Sequence, residues 1–342
     1  MNDIIVIGDL HSRREEPFYS SIKSFMNWFS NNKDFNKENS TVIFLGDLIH
    51  FHSPEGDVDL LINDFILNSV KAKKIIILQG NHDIGYRNSG IRLLKADKRV
   101  VMIETPTKSI EEGLNCLWLP YYYSTSVDIP SMKEYYENLP EELQGDYDYI
   151  FYHIADESQT LFNSFIDLSK SKISGKRCGG HVHMYSKNYL GSSIITRYDE
   201  RGKSSYIKWI SDKGDKDVEV PIFLDYKSVS WDTEKQLSTS VAPFILWTVT
   251  DVPKGTTKKD VTEKFGIKEY ELYDVEYREV EEDVSENISF DSTNKATLQV
   301  YEDAFCKKHS IEGDIKSLFS EYVQKKVVED LKRESSLVEE VE

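Results

Sequence analysis

The chain has 342 residues, more than one average domain, so two or three units sharing a sizeable core are expected. Its formal net charge of −17 weighs against casual nucleic-acid binding, because phosphate contacts draw on Lys and Arg. Bound dications or a basic partner subunit reverse that sign locally, so charge disfavours the class without excluding it.

The opening "MNDIIVIGDLH" enters a strand-like pattern at once, a start from which no leader peptide is expected. Further short apolar runs follow at "STVIFLGDLIH" (40–50), "KKIIILQGNHD" (73–83) and "YDYIFYHI" (147–154). Between them lie amphipathic stretches at 18–30 and 57–70. In the second, Val58, Leu61, Ile62, Phe65 and Ile66 recur at helical spacing. Strands alternating with helices predict a largely buried sheet, whose ligands gather beyond the carboxyl ends of its strands. From 186 to 224 the text is strand-rich ("NYLGSSIITRY", "SSYIKWISD", "VEVPIFLDY"), and 242–280 reads strand, helix, strand. An acidic stretch at 279–292 reads as a linker, and helices are expected near 295–308 and 312–333. The apolar stripe of the last helix packs on its own domain or docks on another protein. No apolar run approaches the roughly 18 residues that span a bilayer. Cys116, Cys178 and Cys306 form no CxxC pair, so reduced thiols in a cytoplasm are expected.

Seven of the eight histidines stand in or beside Gly-, Asp- or Asn-containing strand ends: His11, His50, His52, His82, His153, His181 and His183, with only His309 elsewhere. In "DLH" and "HVH" the two polar residues are two apart, so on extended backbone they face one side and converge. A carboxylate such as Asp47 can bridge two cations, and Asn81 adds a neutral oxygen. Mixed imidazole and carboxylate ligation suits manganese, iron or zinc better than magnesium or calcium.

The ordered set "GDLH", "GDLIH", "GNHD", "YHI", "GGHVH" resembles the calcineurin-like metallophosphoesterase superfamily. The resemblance implies an α/β fold, an αββα sandwich with a small α/β capping domain and C-terminal helices. The boundaries expected are 1–225 for the catalytic domain, 226–282 for the cap and 283–342 for the acidic linker and helices. It implies one metal held by Asp9, His11, Asp47 and His183, and another by Asp47, Asn81, His153 and His181. The two divalent ions, with manganese expected, would activate water for attack on phosphorus. His82 is assigned to charge stabilisation or protonation of the leaving oxygen. His50 is a candidate to orient the phosphate, with a structural role equally open, and His52 and His309 read as surface histidines.

Many superfamily phosphatases carry "GDxxDR" at the second motif, whereas here the text is "GDLIHFHSP". That form is similar to SbcD-type DNA double-strand-break repair nucleases, and "YLGSSIITRYDERGK" (189–203) resembles their "Y-x-GS" segment with an acidic residue downstream. The similarity implies 3′-to-5′ exonuclease and single-strand endonuclease activity. It also implies DNA and an SbcC-like SMC-family ATPase as partners, the latter held through the C-terminal helices, and a homodimer in the cytoplasm, or the host cytoplasm for a compact bacteriophage version. Lys170, Lys172, Lys176 and Arg177 are candidates to line a DNA path, with a solvated loop as the alternative. The rival readings are a stand-alone metallophosphatase or nucleotide phosphodiesterase, which the acidic charge favours, and an inactive scaffold, which the full ligand set argues against.

Overall fold

The computed structural model describes residues 2–51, 56–83, 90–121, 131–156, 166–196, 200, 202–233 and 242–278. In chain order its strands and longer helices begin with β1 (Ile4–Ile7), α1 (Phe18–Asn31), β2 (Thr41–Phe44), α2 (Gly56–Asp64) and β3 (Lys74–Leu78). Next come β4 (Val100–Ile103), β5 (Thr107–Glu111), β6 (Leu114–Leu119), α3 (Met132–Glu137), β7 (Gly145–Tyr152) and β8 (Ile173–Gly179). The last are β9 (Ser205–Ser211), β10 (Gly214–Val220), β11 (Leu224–Ser230), β12 (Phe244–Val252), α4 (Lys258–Phe265) and β13 (Leu272–Tyr277).

The first sheet runs β10-β9-β1-β2-β3-β4, with β1 to β4 parallel and β9 antiparallel to both β1 and β10. The second runs β5-β6-β7-β8, parallel from β6 onward. Every residue of β1 ("IIVI") and β2 ("TVIF") is buried, as a central parallel strand covered on both faces requires. Alternation then assigns the faces. Ile4, Val6, Ile43, Ile76 and Leu78 meet Cys116, Trp118, Phe151 and Cys178 between the two sheets. Ile5, Ile7, Phe44 and Ile77 face the helices, against Ile22, Phe25 and Phe29 of α1 and Val58 and Ile62 of α2. On the far side of the second sheet, Leu117, Leu119 and Tyr152 pack with Tyr136 of α3. The layers are thus α, β, β, α. Truncating Phe25 to Ala, in the middle of the first helix layer, costs about 3–5 kcal/mol by the usual cavity cost.

The third sheet, β11-β12-β13, is all parallel, with α4 crossing between its last two strands. A reciprocal Thr257–Asp260 cap starts α4, and Gly266 at φ +64° ends it. This layer has its own core of Trp247, Val249, Val252, Val261 and Leu272. Leu224, Tyr226 and Leu246 join Phe18 and Ile195, which seats it on the sandwich. The described residues belong to one compact unit ending at Arg278.

Three local expectations change. The helix expected over 57–70 is α2 followed by a π-helical turn, Phe65–Ser69, which keeps Phe65 and Ile66 in the core. "NYLGSSIITRY" forms no strand among its described residues, because its backbone is spent on the site: Ser193 N–H donates to Asp9 O and Ser192 N–H to His183 O. "VEVPIFLDY" is split, since β10 ends at Val220 before Pro221 and β11 starts at Leu224. His52, His309, the acidic linker and the C-terminal helices lie outside the described residues. Among the described residues, no helix is long and apolar enough to cross a membrane.

Candidate metal centre

The loops leaving β1, β2, β3, β7 and β8 meet beyond the carboxyl ends of those strands. The first two are zipped together: Leu10 and His11 N–H donate to Asp47 O at 3.1 and 2.8 Å, Ser12 N–H to Leu48 O, and His50 N–H to Ser12 O. "GDLH" and "GDLIH" therefore present Asp9, His11, Asp47 and His50 as one piece. His11, Asp47 and His181 all hold positive φ (+44°, +47° and +76°), a left-handed backbone that non-glycine residues adopt at a cost and that clusters at functional sites. The glycines beside them are required by close approach. A Cβ on Gly80 would fall 2.1 Å from Asp47 Oδ1, and one on Gly180 would fall 2.6 Å from Asp9 Oδ1.

All seven expected ligand residues come together. Donor atoms of Asp9, His11 and His183 lie within 4.8 Å of one another, as do those of Asp47, His153 and His181. Asn81 Oδ1 stands 3.2 Å from His153 Nε2 and 2.8 Å from His181 Nδ1. Asp47 Oδ2 reaches into both groups, 3.5 Å from His11 Nε2 and 3.2 Å from His153 Nε2. His11 Nε2 and His183 Nε2 approach to 2.8 Å. Two imidazole nitrogens at that separation must share a proton or a cation.

The supporting contacts aim these rings. His153 Nδ1 donates to Leu45 O at 2.6 Å, which turns Nε2 toward Asp47 and Asn81. His183 Nδ1 lies 2.5 Å from Glu200 Oε1, and Thr196 donates to the same carboxylate from both its N–H and its hydroxyl. Asp83 accepts the N–H groups of Asp47, Leu48 and Gly80, tying the second loop to the third. Glu200, Thr196, Asp83 and Arg13 are residues that motif spacing did not single out. The Asp of "GNHD" was a visible signal for Asp83, and the acidic residue expected after "Y-x-GS" for Glu200; Arg13 and Thr196 carry none.

Asp9, Asp47 and His153 are essentially buried, and among the described residues the ion pairs of both carboxylates are with histidines alone. Burial, reinforced by the neighbouring Asp47, pushes Asp9 up to about 6 against the pull of His153. Burial acts likewise on Asp47, but His153, His11 and His82 overcome it and hold that carboxyl well below the usual range. Burial disfavours a charged His153, yet Asp47 and Asp9 raise it to about 10. Burial and the His153 cation push His181 down to about 3, and burial holds His11 well below the ordinary imidazole value. Asp83, buried beside Asp47, is raised to about 7. Four imidazoles, two carboxylates and an amide oxygen converge here, with one carboxylate pushed toward its neutral form. Divalent cations fit this donor set and complete its electrostatics.

The remaining histidines form a flank. His82 N–H donates to Asp47 Oδ1 at 2.8 Å, and its Nδ1 bonds the His50 carbonyl. His50 and His82 stack at 5.5 Å and 17°, and His50 Nδ1 stands 3.4 Å from His11 Nδ1. Arg13 contacts His50 Nε2 at 3.2 Å and donates to Thr196 O. Lys170 is tied to Glu137 and Asp167 at the surface. Lys172 ends the 3₁₀ turn before β8 at φ +53°. Lys176 and Arg177 lie on β8, paired with Asp215 at 3.0 Å and Asp156 at 3.2 Å.

Comparison with known proteins bears on this site directly. The family model described as calcineurin-like phosphoesterase matches residues 3–226, more than half of the chain, and covers all of the loops above. No curated protein matches the chain.

Proposed function

Because the chain belongs to the calcineurin-like phosphoesterase family, and is thereby a metal-dependent phosphoester hydrolase, we propose that its substrate is DNA and that it is a nuclease of the SbcD type. Asp9, His11, Asp47 and His183 would hold one divalent cation and Asp47, Asn81, His153 and His181 the other, with manganese as the proposed ion. Bound there, the cations supply Lewis acidity toward water and the phosphoryl group.

The chain's own groups account for the rest. Asp47 fixes the His82 backbone, and the Nδ1 contact to the His50 carbonyl turns the His82 imidazole so that proton transfer to a leaving oxygen runs through Nε2. His50 supports the nuclease reading most: the histidine that replaces the second acid of the phosphatase motif stacks on His82 and touches His11, at the reacting edge rather than on the surface. Lys176 and Arg177 are proposed DNA contacts. Residues 226–282 are proposed as a cap and 283–342 as the segment that grips an SbcC-like ATPase, and the assembly proposed is a homodimer.

The second reading is a stand-alone phosphatase or nucleotide phosphodiesterase, favoured by the net charge of −17. Linearised duplex DNA and a chromogenic phosphodiester, each with manganese, separate the two. Cleavage of DNA, alone or with an SbcC-like ATPase, supports the nuclease. Turnover of the small ester with DNA left intact under both conditions overturns it.

A further inference from the structure

A cleft of about 640 Å³ opens where one edge of the first sheet meets one edge of the second, between β8 and the β9–β10 hairpin. Five cations line it, Lys176, Arg177, Lys187, Lys208 and Lys216, against Asp215 and Asp217. On a chain of net charge −17 this is a local reversal of sign. The two aspartates are already engaged: Asp215 with Lys176 at 3.0 Å, Asp217 with Lys208 at 2.5 Å and with the Tyr185 hydroxyl at 2.6 Å. Among the described residues, Lys187 and Lys216 have no carboxylate partner; Lys216 lies over the Trp209 ring at 4.2 Å. Lysines commonly guard exposed sheet edges against pairing. That role accounts for Lys176 and Lys216 on their strands but not for Lys187, which comes from a loop and faces the same space.

Two further features narrow the ligand. Tyr185 is 39% exposed at the cleft and rests on Tyr206 with ring centroids 3.9 Å apart, a supported aromatic face. The cleft is also tied to the metal centre through the chain that lines it, β8 before His181 and the loop after His183. β8 carries Lys176 toward His181 over five residues, at most roughly 18 Å of chain, or about five nucleotides of a stacked strand. Tyr185 and Lys187 stand on the loop that leaves His183 and folds back along that edge, where Asn188 O accepts from Gly179 N–H.

We infer that this cleft is a single-strand nucleic-acid subsite, with the lysines on the phosphodiester backbone and Tyr185 stacking a base, and that it holds the strand leading to or from the metal centre. The inference rests on the nuclease reading for its connection to chemistry, but binding can be measured without catalysis.

The test uses the full chain. Binding of a fluorescein-labelled oligothymidylate of about twelve nucleotides is followed by anisotropy in EDTA across a salt series, beside manganese-dependent hydrolysis of a chromogenic phosphodiester. Lys187→Ala/Lys216→Ala is expected to weaken oligonucleotide binding roughly 10-fold. The slope of log affinity against log salt should flatten by about 0.7 for each phosphate that is no longer neutralised. Tyr185→Ala is expected to weaken binding with the salt slope unchanged. Hydrolysis of the small ester should match wild type in all variants. Wild-type oligonucleotide affinity in the double variant overturns the subsite. Competition by thymidine monophosphate as effective as by the oligonucleotide also overturns it, in favour of a mononucleotide pocket. Absence of DNA cleavage by the wild type, with binding and its lysine dependence intact, would instead sink the nuclease reading alone.

Discussion

The Glu200 carboxylate stands 2.5 Å from His183 Nδ1, and both groups are largely withdrawn from water. Burial alone would raise Glu200, but the hydrogen bond and charge of His183, with donation from Thr196, hold its carboxyl below the usual range. An ionised acceptor at Nδ1 fixes the ring's orientation and strengthens Nε2 as a donor to a cation.

Removing that acceptor should therefore be felt at the metal. Glu200→Ala is expected to lower manganese affinity by about 10–100-fold while the far-ultraviolet circular dichroism is retained. Calorimetric titration of the metal-free variant reads it. Affinity equal to wild type would show that Glu200 serves only the loop.

Asp47 faces both ligand groups, so Asp47→Asn should deplete both ions rather than one. Metal analysis after manganese loading is expected to find well under one ion per chain. Retention of one full equivalent would mean that the two groups do not share this residue.

His82 lies beside the ligands without belonging to either group around Asp47. His82→Gln is expected to leave metal content intact and to cut turnover by roughly 10²-fold or more, within the usual range for a general acid. The drop should fall on kcat, and near wild-type cleavage would remove His82 from the chemistry.

The two sheets are laced at the end opposite the site by Glu112, in the β5–β6 turn. It accepts from Asn2 at 3.0 Å, Thr41 at 2.9 Å and Lys73 at 2.7 Å. Partial burial works to raise this carboxyl, but those three donors prevail and lower it below the usual glutamate value. A carboxyl depressed on folding stabilises above its unfolded pKa, and that contribution disappears as pH falls through the folded value. Glu112→Gln should thus destabilise by about 1 kcal/mol at neutral pH, with the gap to wild type closing as the medium is acidified toward the depressed value. Urea unfolding midpoints across that range check the sign, which is wrong if the gap widens in acid.

What could be read from the sequence was whatever sits in local turns. Asp9, His11, Asp47 and Asn81 follow an apolar run and a glycine, His181 and His183 follow a glycine pair, and the structure brings all of them to one place. β1, β2 and β3 were legible because central parallel strands are continuous apolar runs. β5 ("TKSIE") and β8 ("ISGKRCG") were not, since they are sheet edges whose exposed side chains erase the pattern. The segment "GSSIIT" misled in the other direction: its β-branched residues suggested a strand, but its N–H groups were claimed by Asp9 and His183. Thr196 and Arg13 reach the site through tertiary packing, which no local spacing announces.

The central claim is a pair of cations flanking Asp47. Crystals of the full chain grown with manganese, with data collected at the manganese absorption edge, address it in one anomalous difference map. Two peaks are expected, one against Asp9, His11 and His183, the other against Asn81, His153 and His181, with Asp47 in contact with both. A map with no peak within coordinating distance of Asp47, from manganese-saturated crystals, would contradict the account.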